Sequence, residues 1–262
     1  MKIALCISGQ MRTYEECYPN LKKYILDPLQ PDIFIHTWEG SGISHKENIH
    51  IEEKIVLYSE LEKLYAPKKV VIEQFDKSYL DKFSGVKVPN LIKEKEPNQC
   101  KGSIPLFYKM NKCNELKKEF EKEFDFKYDV VIKLRPDLMI LEPLKIQNIY
   151  KNKLYFSNYA INQNYQLSDK FAYGSSKVMD QYTSVWNYLN EYWKTPLGDG
   201  NWESHRVGER LMFHHVNNYF GLNNQAFKLK CYIKRYGDSS NPYSLKERVS
   251  KKIINIIRSI KK

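Results

Sequence analysis

Short apolar runs rich in β-branched and aromatic residues alternate along this chain with longer segments of helical period. No other pattern in the sequence limits the fold as strongly, because strands separated by helices assemble into a largely parallel sheet with helices on its faces. The sequence therefore predicts an α/β domain built on a largely parallel sheet. The predicted strands are Lys2–Ser8, Asp32–Trp38, Lys69–Phe75, Tyr128–Leu134, Lys153–Ser157, Lys170–Tyr173 and Phe227–Tyr236.

Three segments between these runs carry apolar residues at helical spacing, and they are predicted to be the helices 52–66, 105–124 and 177–193. Glycine, proline and many lysines interrupt any period over 76–104. This segment is therefore predicted to be a long loop or lid. Loops of that length inside a compact domain are usually functional or mobile.

The chain is long enough to bury a substantial core, since it has 262 residues of which 42% are hydrophobic. It holds no run near the ~20 apolar residues that a membrane-spanning helix needs. Its apolar opening, Ile3–Ile7, is shorter than the ~7–15 residues of a secretory core. The cysteines are scattered without paired spacing, which favours reduced thiols over zinc or disulfide chemistry. These features predict a cytoplasmic protein.

The basic excess is concentrated near residue 262. Lysine and arginine number 42 against 31 acidic residues, which gives a formal charge of +11. Residues 243–262 hold seven basic residues and one acidic residue, so this segment carries +6 and the preceding 242 residues share +5. A basic excess predicts a polyanionic partner, and most of it belongs to these last twenty positions.

Within this basic segment the apolar residues recur every three or four positions and form one stripe flanked by lysine and arginine. They are Leu245, Val249, Ile253, Ile256, Ile257 and Ile260. Such a pattern is typical of a helix that lies on an anionic membrane surface. The predicted organisation is a domain at 1–242 followed by a C-terminal amphipathic basic helix at 243–262. A helix packed on its own domain is the alternative. Nucleic-acid binding is a third but weaker interpretation, because no aromatic residue follows Lys246 to stack on bases.

The first predicted strand ends in the segment Ser8-Gly9-Gln10-Met11-Arg12. Small residues at the end of a strand let backbone amides approach a ligand, and an arginine can bind a phosphate. A glycine after a first strand is also common in plain turns. The motif alone is therefore compatible with a phosphate site and with a simple turn.

The strongest local signal is the segment 128–138, which reads Y-D-V-V-I-K-L-R-P-D-L. In an extended chain Lys133, Arg135 and Asp137 share one face, whereas a central parallel strand is normally apolar on both faces. Pro136 stops further pairing, so the strand is predicted to open into a ligand crevice at its carboxyl end. Arg135 can hold a diphosphate and Asp137 can hold Mg²⁺ or Mn²⁺. An edge-strand salt bridge is the alternative.

These motifs resemble bacterial glycosyltransferases of the GT-A type that assemble capsular polysaccharide and lipopolysaccharide. Such enzymes open with a strand and S-G-Q-x-R, here residues 8–12, and carry R-x-D in place of the usual D-x-D, here residues 135–137. Residues 168–175 are similar to their D-x-F-x-x-G-S segment, and residues 202–211 to their late acidic segment that opens a helix. The resemblance spans roughly residues 1–215 and implies a GT-A-like fold.

The resemblance also implies a nucleotide-sugar donor, with its base and ribose in the N-terminal half and its diphosphate near Asp137. A divalent cation, Mn²⁺ or Mg²⁺, is expected on Asp137. Only one aspartate stands where D-x-D enzymes have two, so Arg135 is expected to replace part of the cation's role. The expected donor-binding residues are Ser8, Gly9, Gln10, Arg12 and Arg135.

An inverting transferase also needs a carboxylate that takes the proton from the acceptor hydroxyl. The candidates are Asp169, Glu203 and Glu209, of which Asp169 and Glu209 are favoured as catalytic residues. Asp169 precedes a predicted strand and a Gly-Ser turn, where it can bind sugar hydroxyls. Glu209 lies at a predicted helix start, where a carboxylate can also simply offset the helix dipole.

The sequence therefore predicts a cytoplasmic glycosyltransferase bound peripherally to the inner face of the cell membrane. Its expected partners are a nucleotide sugar, a polysaccharide or lipid-linked acceptor, and the anionic membrane surface. Two alternatives stay open: transfer of another phosphate-linked group onto polysaccharide, and a basic nucleic-acid-binding protein. The last predicts binding to DNA or RNA that depends steeply on salt.

Overall fold

The computed structural model describes residues 1–42, 54–75, 97–146, 152–158, 167–192 and 207–237, together with 194, 196, 197 and 200; side chains 97–102 are outside the description. The strands are β1 (Ile3–Ser8), β2 (Asp32–Trp38), β3 (Lys69–Glu73), β4 (Val130–Leu134), β5 (Leu138–Ile140), β6 (Lys153–Ser157), β7 (Phe171–Gly174), β8 (Asn223–Phe227) and β9 (Cys231–Ile233). The helices are α1 (Tyr14–Leu21), α2 (Asp27–Leu29), α3 (Tyr58–Tyr65), α4 (Pro97–Glu123), α5 (Ser176–Tyr182), α6 (Val185–Tyr192) and α7 (Gly208–Phe213). Segments of π-helix follow α1 at Lys22–Leu26 and α7 at His214–Tyr219.

Seven of the described strands form one mixed sheet in the order β3-β2-β1-β4-β7-β6-β8, and β5 pairs with β9 in a small second sheet. Within the large sheet neighbouring strands run parallel, except that β7 is antiparallel to both β4 and β6. The prediction of an α/β fold with a mostly parallel sheet and flanking helices is thereby confirmed.

The chain adds strands first on one side of β1 and later on the other. It first runs outward through β2 to β3 on one side, and then returns through α4 to place β4 on the other side of β1. The strand order therefore reverses between β1 and β4. In open α/β sheets a ligand crevice forms outside the carboxyl ends of the strands at such a reversal. The segments that follow β1 and β4 meet there.

Alternate residues of β4 separate two hydrophobic layers, one on each face of the sheet. Val130, Ile132 and Leu134 belong to the layer that also contains buried residues of α1 and α3. Val131 belongs to the layer that contains buried residues of α4 and α5. By the same alternation Lys133 continues the face of Val131, so it is a charged side chain within an apolar layer.

The position of β4 excludes the edge-strand interpretation of the 128–138 segment. β4 pairs with β1 on one side and β7 on the other, so it lies inside the sheet. Its pairing with β1 reaches Leu134. Pro136 follows two residues later and has no N–H to continue the ladder. The charged residues Arg135 and Asp137 therefore lie just beyond the end of β4.

The predicted strand Phe227–Tyr236 is wrong in its extent. β8 ends at Phe227 and pairs with β6, whereas β9 begins at Cys231 and pairs with β5 in the second sheet. The chain changes sheets at Lys230, whose N–H donates to the Glu142 carboxylate at 2.7 Å. Residue composition favours extended chain on both sides of this corner, so it does not reveal the change of partner.

Three further predictions need correction. The predicted helix 52–66 is shorter than expected, since α3 begins only at Tyr58 and ends at Tyr65. The predicted helix 177–193 is divided into α5 and α6, and the hydroxyl of Thr183 donates to Met179 O at 2.8 Å at the break. The predicted loop 76–104 overlaps α4, which begins at Pro97. Proline suits the first turn of a helix, since the N–H groups there have no partner within the helix. Residues 76–96 and the predicted helix 243–262 lie outside the described residues.

No helix in the described part of the chain is long and apolar enough to cross a membrane.

Candidate functional site

The turn after β1 places small groups at the carboxyl edge of the sheet. Gly9 has a φ of +116°, a conformation that side-chain-bearing residues rarely adopt. Its carbonyl accepts a hydrogen bond of 2.8 Å from the Thr37 hydroxyl, and its N–H donates to His36 O at 3.3 Å. The turn is thereby tied to the end of β2. Ser8 is 1% exposed, and its hydroxyl has no hydrogen-bond partner within the described part of the chain.

Arg12 is oriented by both its backbone and its side chain. Its N–H donates to Ser41 O at 2.7 Å, and its φ is +44°. Its Nη2 donates to Gln10 Oε1 at 2.9 Å. Gln10 in turn lies against Gly42, where an added Cβ would approach the Gln10 side chain to 2.5 Å. A side chain at Gly42 would therefore displace the residue that orients Arg12.

The turn after β4 folds Asp137 back onto Arg135. The Arg135 N–H donates to Lys170 O at 3.1 Å, and Leu138 N–H donates to Arg135 O at 3.2 Å. The Arg135 side chain then forms a forked pair with Asp137, with Nε at 3.0 Å from Oδ1 and Nη2 at 2.8 Å from Oδ2. Such two-point pairs fix geometry as well as charge.

Two more arginines converge on the same carboxylate. Arg12 Nη1 and Arg235 Nη1 each lie 2.9 Å from Asp137 Oδ2. The Asp137 side chain is only 1% exposed. Burial alone would raise its pKa, but Arg135, Arg12 and Arg235 together lower the pKa of Asp137 to about 2. Asp137 is therefore ionised and surrounded by guanidinium groups.

Residues 234–236, which follow β9, hold this cluster in place through hydrogen bonds that involve backbone atoms. Lys234 N–H donates to Asp137 O at 2.9 Å, and the Thr13 hydroxyl donates to Lys234 O at 2.9 Å. The Tyr236 hydroxyl donates to Arg12 O at 2.6 Å. These backbone contacts place Arg235 beside the turn that carries Arg12.

A cavity of about 200 Å³ opens at the carboxyl ends of β1 and β4. Its lining includes all of the predicted donor-binding residues: Ser8, Gly9, Gln10, Arg12 and Arg135. Their assembly at one cavity follows from the strand order, because β1 and β4 are neighbours there. Asp137 lies beside the cavity through its contacts with Arg12 and Arg135.

The same cavity has an aromatic side. Trp38 from the end of β2 and Phe75 beyond β3 line it, with their ring centroids 5.1 Å apart in an edge-to-face arrangement. Lys109 Nζ lies 3.5 Å from the Trp38 ring centroid and donates to Glu73 at 2.7 Å. Burial lowers the pKa of Lys109 to about 8, although Glu73 opposes the shift. The strand order puts these rings on the β2–β3 side and Arg135 on the β4 side.

The two predicted catalytic carboxylates share one lysine. Lys170 Nζ lies 3.0 Å from Asp169 Oδ1 and 2.7 Å from Glu209 Oε1. Burial opposes ionisation of Asp169, yet Lys170 followed by Arg135 and Lys133 lowers its pKa. Burial likewise opposes the charge on Lys170, but Asp169 and Glu209 raise its pKa. The structure therefore brings Asp169 and Glu209 together on either side of one lysine.

This carboxylate pair adjoins the cavity without lining it. The link is Arg135, whose N–H bonds to Lys170 O while its side chain lies at the cavity. Glu209 is the more accessible partner, with 27% of its side chain exposed against 8% for Asp169. Glu209 is therefore the better placed of the two to exchange a proton with a bound molecule. Glu203, the third candidate, lies outside the described residues.

Lys133 sits behind Asp169. It is 1% exposed, and its Nζ donates to the Asp169 backbone carbonyl. Burial lowers the pKa of Lys133 to about 7, with Asp169 acting in the opposite direction. Lys133 thereby fixes the backbone that carries Asp169, which explains a charged residue on an interior strand.

The described residues do not form a site for a resident divalent cation. Mg²⁺ and Mn²⁺ favour several oxygen ligands, and Asp137 has both oxygens engaged by guanidinium groups. Across the described ranges there is also no group of three or more His, Cys, Asp or Glu side chains that could hold a metal ion.

Three residues of this region were not singled out from the sequence. Arg235 meets Asp137 across 98 positions, and Lys170 meets Glu209 across 39. No local pattern reports such distant contacts. Trp38 did carry a signal, because it ends a predicted strand of the parallel sheet, where cavity-lining side chains are expected.

The fold and the site define an α/β protein with an arginine-lined crevice at the carboxyl ends of β1 and β4, where the strand order reverses. Residues 1–184 match the family model described as a domain of unknown function, DUF7796, and the chain belongs to this family. The matched range includes Arg12, Arg135, Asp137 and Asp169. No curated protein matches the chain.

Proposed function

We propose that this protein is a glycosyltransferase of GT-A-like fold that moves a sugar from a nucleotide-sugar donor to a capsular polysaccharide or lipopolysaccharide acceptor. The observation that carries the proposal is the cavity between the ends of β1 and β4, where the S-G-Q-x-R and R-x-D motifs meet. Arginine side chains can bind phosphate through paired hydrogen bonds, and the strand reversal is where open α/β sheets bind their ligands.

The two sides of the cavity match the two parts of such a donor. Arg12 and Arg135 supply positive charge for the diphosphate. Trp38 and Phe75 supply ring surfaces for the nucleobase, since stacking on an aromatic side chain accepts any base. The donor in this proposal therefore lies across the strand ends, with its base toward β3 and its phosphates toward β4.

Sugar transfer breaks the bond between the anomeric carbon and the diphosphate oxygen, and negative charge develops on the departing nucleoside diphosphate. Guanidinium groups held in place before the reaction stabilise that charge. Arg135 and Arg12 are so held, by Asp137 and Gln10. Their role in the proposal is to bind the leaving group.

The acceptor hydroxyl must lose a proton as it attacks the sugar. In the proposal Glu209 takes this proton, because it is the more exposed of the paired carboxylates. Asp169 is more deeply buried, and in the proposal it binds sugar hydroxyls. Lys170 contacts both carboxylates and so holds them next to each other.

The proposal includes peripheral association with the inner face of the cell membrane. Its support is the sequence of residues 243–262, where a charge of +6 accompanies a stripe of isoleucine, valine and leucine. Anionic lipid attracts basic residues near its surface. An enzyme held there meets an acceptor that is carried on a lipid.

The direct test measures release of nucleoside diphosphate from a panel of nucleotide sugars, with and without polysaccharide acceptor. Wild-type protein is expected to turn over at least one donor, and Glu209→Gln should lose about 10²–10⁴-fold in rate, the range typical of a proton-transfer residue. Glu119→Gln is the matched control, because Glu119 is 61% exposed on α4. Thermal unfolding of each variant checks that it is folded.

Full activity of Glu209→Gln would contradict the assignment of the base. Inactivity of the wild type toward every donor, together with salt-dependent binding to DNA or RNA, would instead favour the nucleic-acid alternative.

A further inference from the structure

Two buried polar groups lie on neighbouring strands beside the cavity. Ser8 and His36 face each other in the register of β1 and β2, and they are only 1% and 3% exposed. Ser8 Oγ and His36 Nδ1 have no hydrogen-bond partner among the residues that the structure describes. A buried polar atom without a partner costs stability, so this pair calls for a ligand or another explanation.

Both side chains lie on the face of the sheet that α4 covers. Two residues before each of them, Cys6 and Phe34 belong to the hydrophobic layer that also contains buried residues of α4. Alternation along the strands places Ser8 and His36 on the same face. Neighbouring strands are about 4.8 Å apart, so the two side chains are within reach of each other. Ser8 lines the cavity, and it is therefore the member of the pair that a bound molecule would contact.

His36 is neutral and presents an acceptor nitrogen. Burial, followed by the charge of Lys109, lowers the pKa of His36 to about 3, although Glu73 opposes the shift. A neutral imidazole carries one N–H and one bare nitrogen, and an ionised carboxylate only accepts hydrogen bonds. His36 Nε2 lies 3.8 Å from Glu73 Oε1. We therefore assign the hydrogen to Nε2, which leaves Nδ1 as the acceptor.

Glu73 is held in place from the other side. Its carboxylate accepts from Lys109 Nζ at 2.7 Å and from the Tyr108 hydroxyl at 3.1 Å. Burial opposes the charge on Glu73, but Lys109 lowers its pKa. An ionised and fixed carboxylate therefore orients the His36 ring, and Nδ1 keeps the same role as long as this contact persists.

We propose that Ser8 binds a hydroxyl group of the ligand and that His36 is the residue that positions Ser8. In the occupied site the Ser8 hydroxyl donates to His36 Nδ1, and Ser8 Oγ accepts from the ligand hydroxyl. A serine side chain rotates between staggered positions, so ligand binding can turn Oγ toward Nδ1. Both atoms that lack a partner in the described structure then have one.

The direction of these hydrogen bonds determines which ligand group fits. Because the Ser8 hydroxyl hydrogen is donated to His36, the Ser8 oxygen can only accept from the side of the cavity. An ionised phosphate oxygen has no hydrogen to donate, whereas a hydroxyl group has one. Ser8 therefore selects a hydroxyl group, which separates its role from that of Arg12 and Arg135.

The identity of this group as a ribose hydroxyl rests on the proposed function. The strand order puts the ends of β1 and β2 between Phe75, beyond β3, and Arg135, beyond β4. In a nucleoside diphosphate the ribose joins the base to the diphosphate, so it comes to the ends of β1 and β2. The inference is that the cavity distinguishes ribonucleotides from deoxyribonucleotides.

The experiment is a calorimetric titration of the full chain in Mg²⁺ with uridine, guanosine, adenosine and cytidine diphosphate. The 2′-deoxy and 3′-deoxy forms of the tightest ligand are then measured. We expect one deoxy form to bind at least about tenfold more weakly, because Ser8 is left with an unpaired acceptor. These probes carry no donor sugar, so the preference reports a ribose hydroxyl.

Variants assign the preference to its residues. Ser8→Ala should bind the ribonucleotide and that deoxy form within about threefold of each other, because the group that distinguishes them is gone. Ser59→Ala removes an exposed hydroxyl on α3 and is the matched control, which should keep the wild-type ratio. His36→Phe removes the acceptor and should lower the ratio, whereas His36→Asn keeps an acceptor oxygen near the place of Nδ1 and should restore part of it. A purely structural role would not move this ratio.

Equal affinity of the wild type for the ribonucleotide and both deoxy forms overturns the inference and leaves the proposed donor site standing. If no nucleoside diphosphate binds, the proposed function is contradicted and the inference falls with it. A wild-type ratio in folded Ser8→Ala overturns the role of Ser8, and one in folded His36→Phe overturns the role of His36. The comparison of the deoxy forms uses wild-type protein, so it stays decisive if a variant does not fold.

Discussion

Asp137 combines near-complete burial with contacts to three arginines. Removal of one member from a buried ion cluster leaves the others uncompensated, at a cost of about 3–5 kcal/mol. Asp137→Ala therefore perturbs the whole carboxyl edge of the sheet, and loss of activity in that variant would not identify a metal ligand. Substitution of one arginine removes fewer contacts than substitution of Asp137. It therefore tests ligand binding with a smaller effect on folding.

The ionisation of Asp137 leads to a pH-dependent stability. An aspartate with an ordinary pKa of 3.8 is here lowered to about 2, so its stabilisation is complete above pH 4 and is lost as the pH falls through 2. The difference is worth about 2 kcal/mol. Urea unfolding at pH 4 and pH 2 should show the wild type losing about that much more stability than Asp137→Asn. Parallel losses in the two proteins would contradict the proposed charge state.

Lys170 contacts both Asp169 and Glu209. Lys170→Met keeps the apolar length of the side chain but leaves two carboxylates facing each other. We expect the free energy of unfolding to fall by about 3 kcal/mol or more, and sugar transfer to be lost with it. Lys177→Met, an exposed lysine on α5, should change stability by less than about 0.5 kcal/mol. Chemical denaturation of both variants makes the comparison.

The end of α4 is joined to α5 and to the segment before β4 through one carboxylate. Glu121 accepts hydrogen bonds from Tyr128 N–H at 3.0 Å, the Ser176 hydroxyl at 2.6 Å and Lys127 Nζ at 2.8 Å. It is fully buried beside Lys117. These contacts fix where β4 starts and so where its carboxyl end opens.

Removal of the Glu121 carboxylate should therefore loosen the junction of α4 with the sheet. We expect Glu121→Ala to lose about 3–5 kcal/mol, because buried donors and Lys117 are left without their acceptor. Glu119→Ala, two residues earlier and 61% exposed, should lose less than about 0.5 kcal/mol. Equal stability of the two variants in urea would show that the junction is not maintained by this carboxylate.

Local patterns were sufficient to predict most of the sheet. β2 and β6 begin and end where predicted, since β-branched runs bounded by polar residues report strands directly. The crevice at Arg135 was also predictable, because Pro136 ends a strand that carries charge. The corner at Lys230 was not, because both sides of it are extended and only the pairing partner changes.

The site depends on contacts between distant parts of the chain. The motifs at residues 8–12 and 135–137 were visible in the sequence, and the strand order brings them to one cavity. The contacts of Arg235 with Asp137 and of Glu209 with Lys170 span 98 and 39 positions. Such pairings arise from tertiary folding, which periodicity and composition do not encode.

The distribution of charge along the chain leads to a prediction about membranes. A chain shortened to residues 1–242 loses a charge of +6 and one apolar stripe. We expect it to bind vesicles containing phosphatidylserine at least about tenfold more weakly than the full chain, since each basic residue near anionic lipid contributes about 1 kcal/mol. Transfer to a soluble acceptor should be unchanged. Vesicle co-sedimentation and the transfer assay measure the two effects, and equal vesicle binding would refute the membrane role of 243–262.

The most direct measurement is a calorimetric titration of the full chain with a panel of nucleotide sugars in the presence of Mg²⁺. At least one donor should bind with one-to-one stoichiometry, and excess pyrophosphate should abolish its heat of binding, because both ligands occupy the arginines beside β1 and β4. If no nucleotide sugar binds, or if a bound one is not displaced by pyrophosphate, the proposed donor site is wrong.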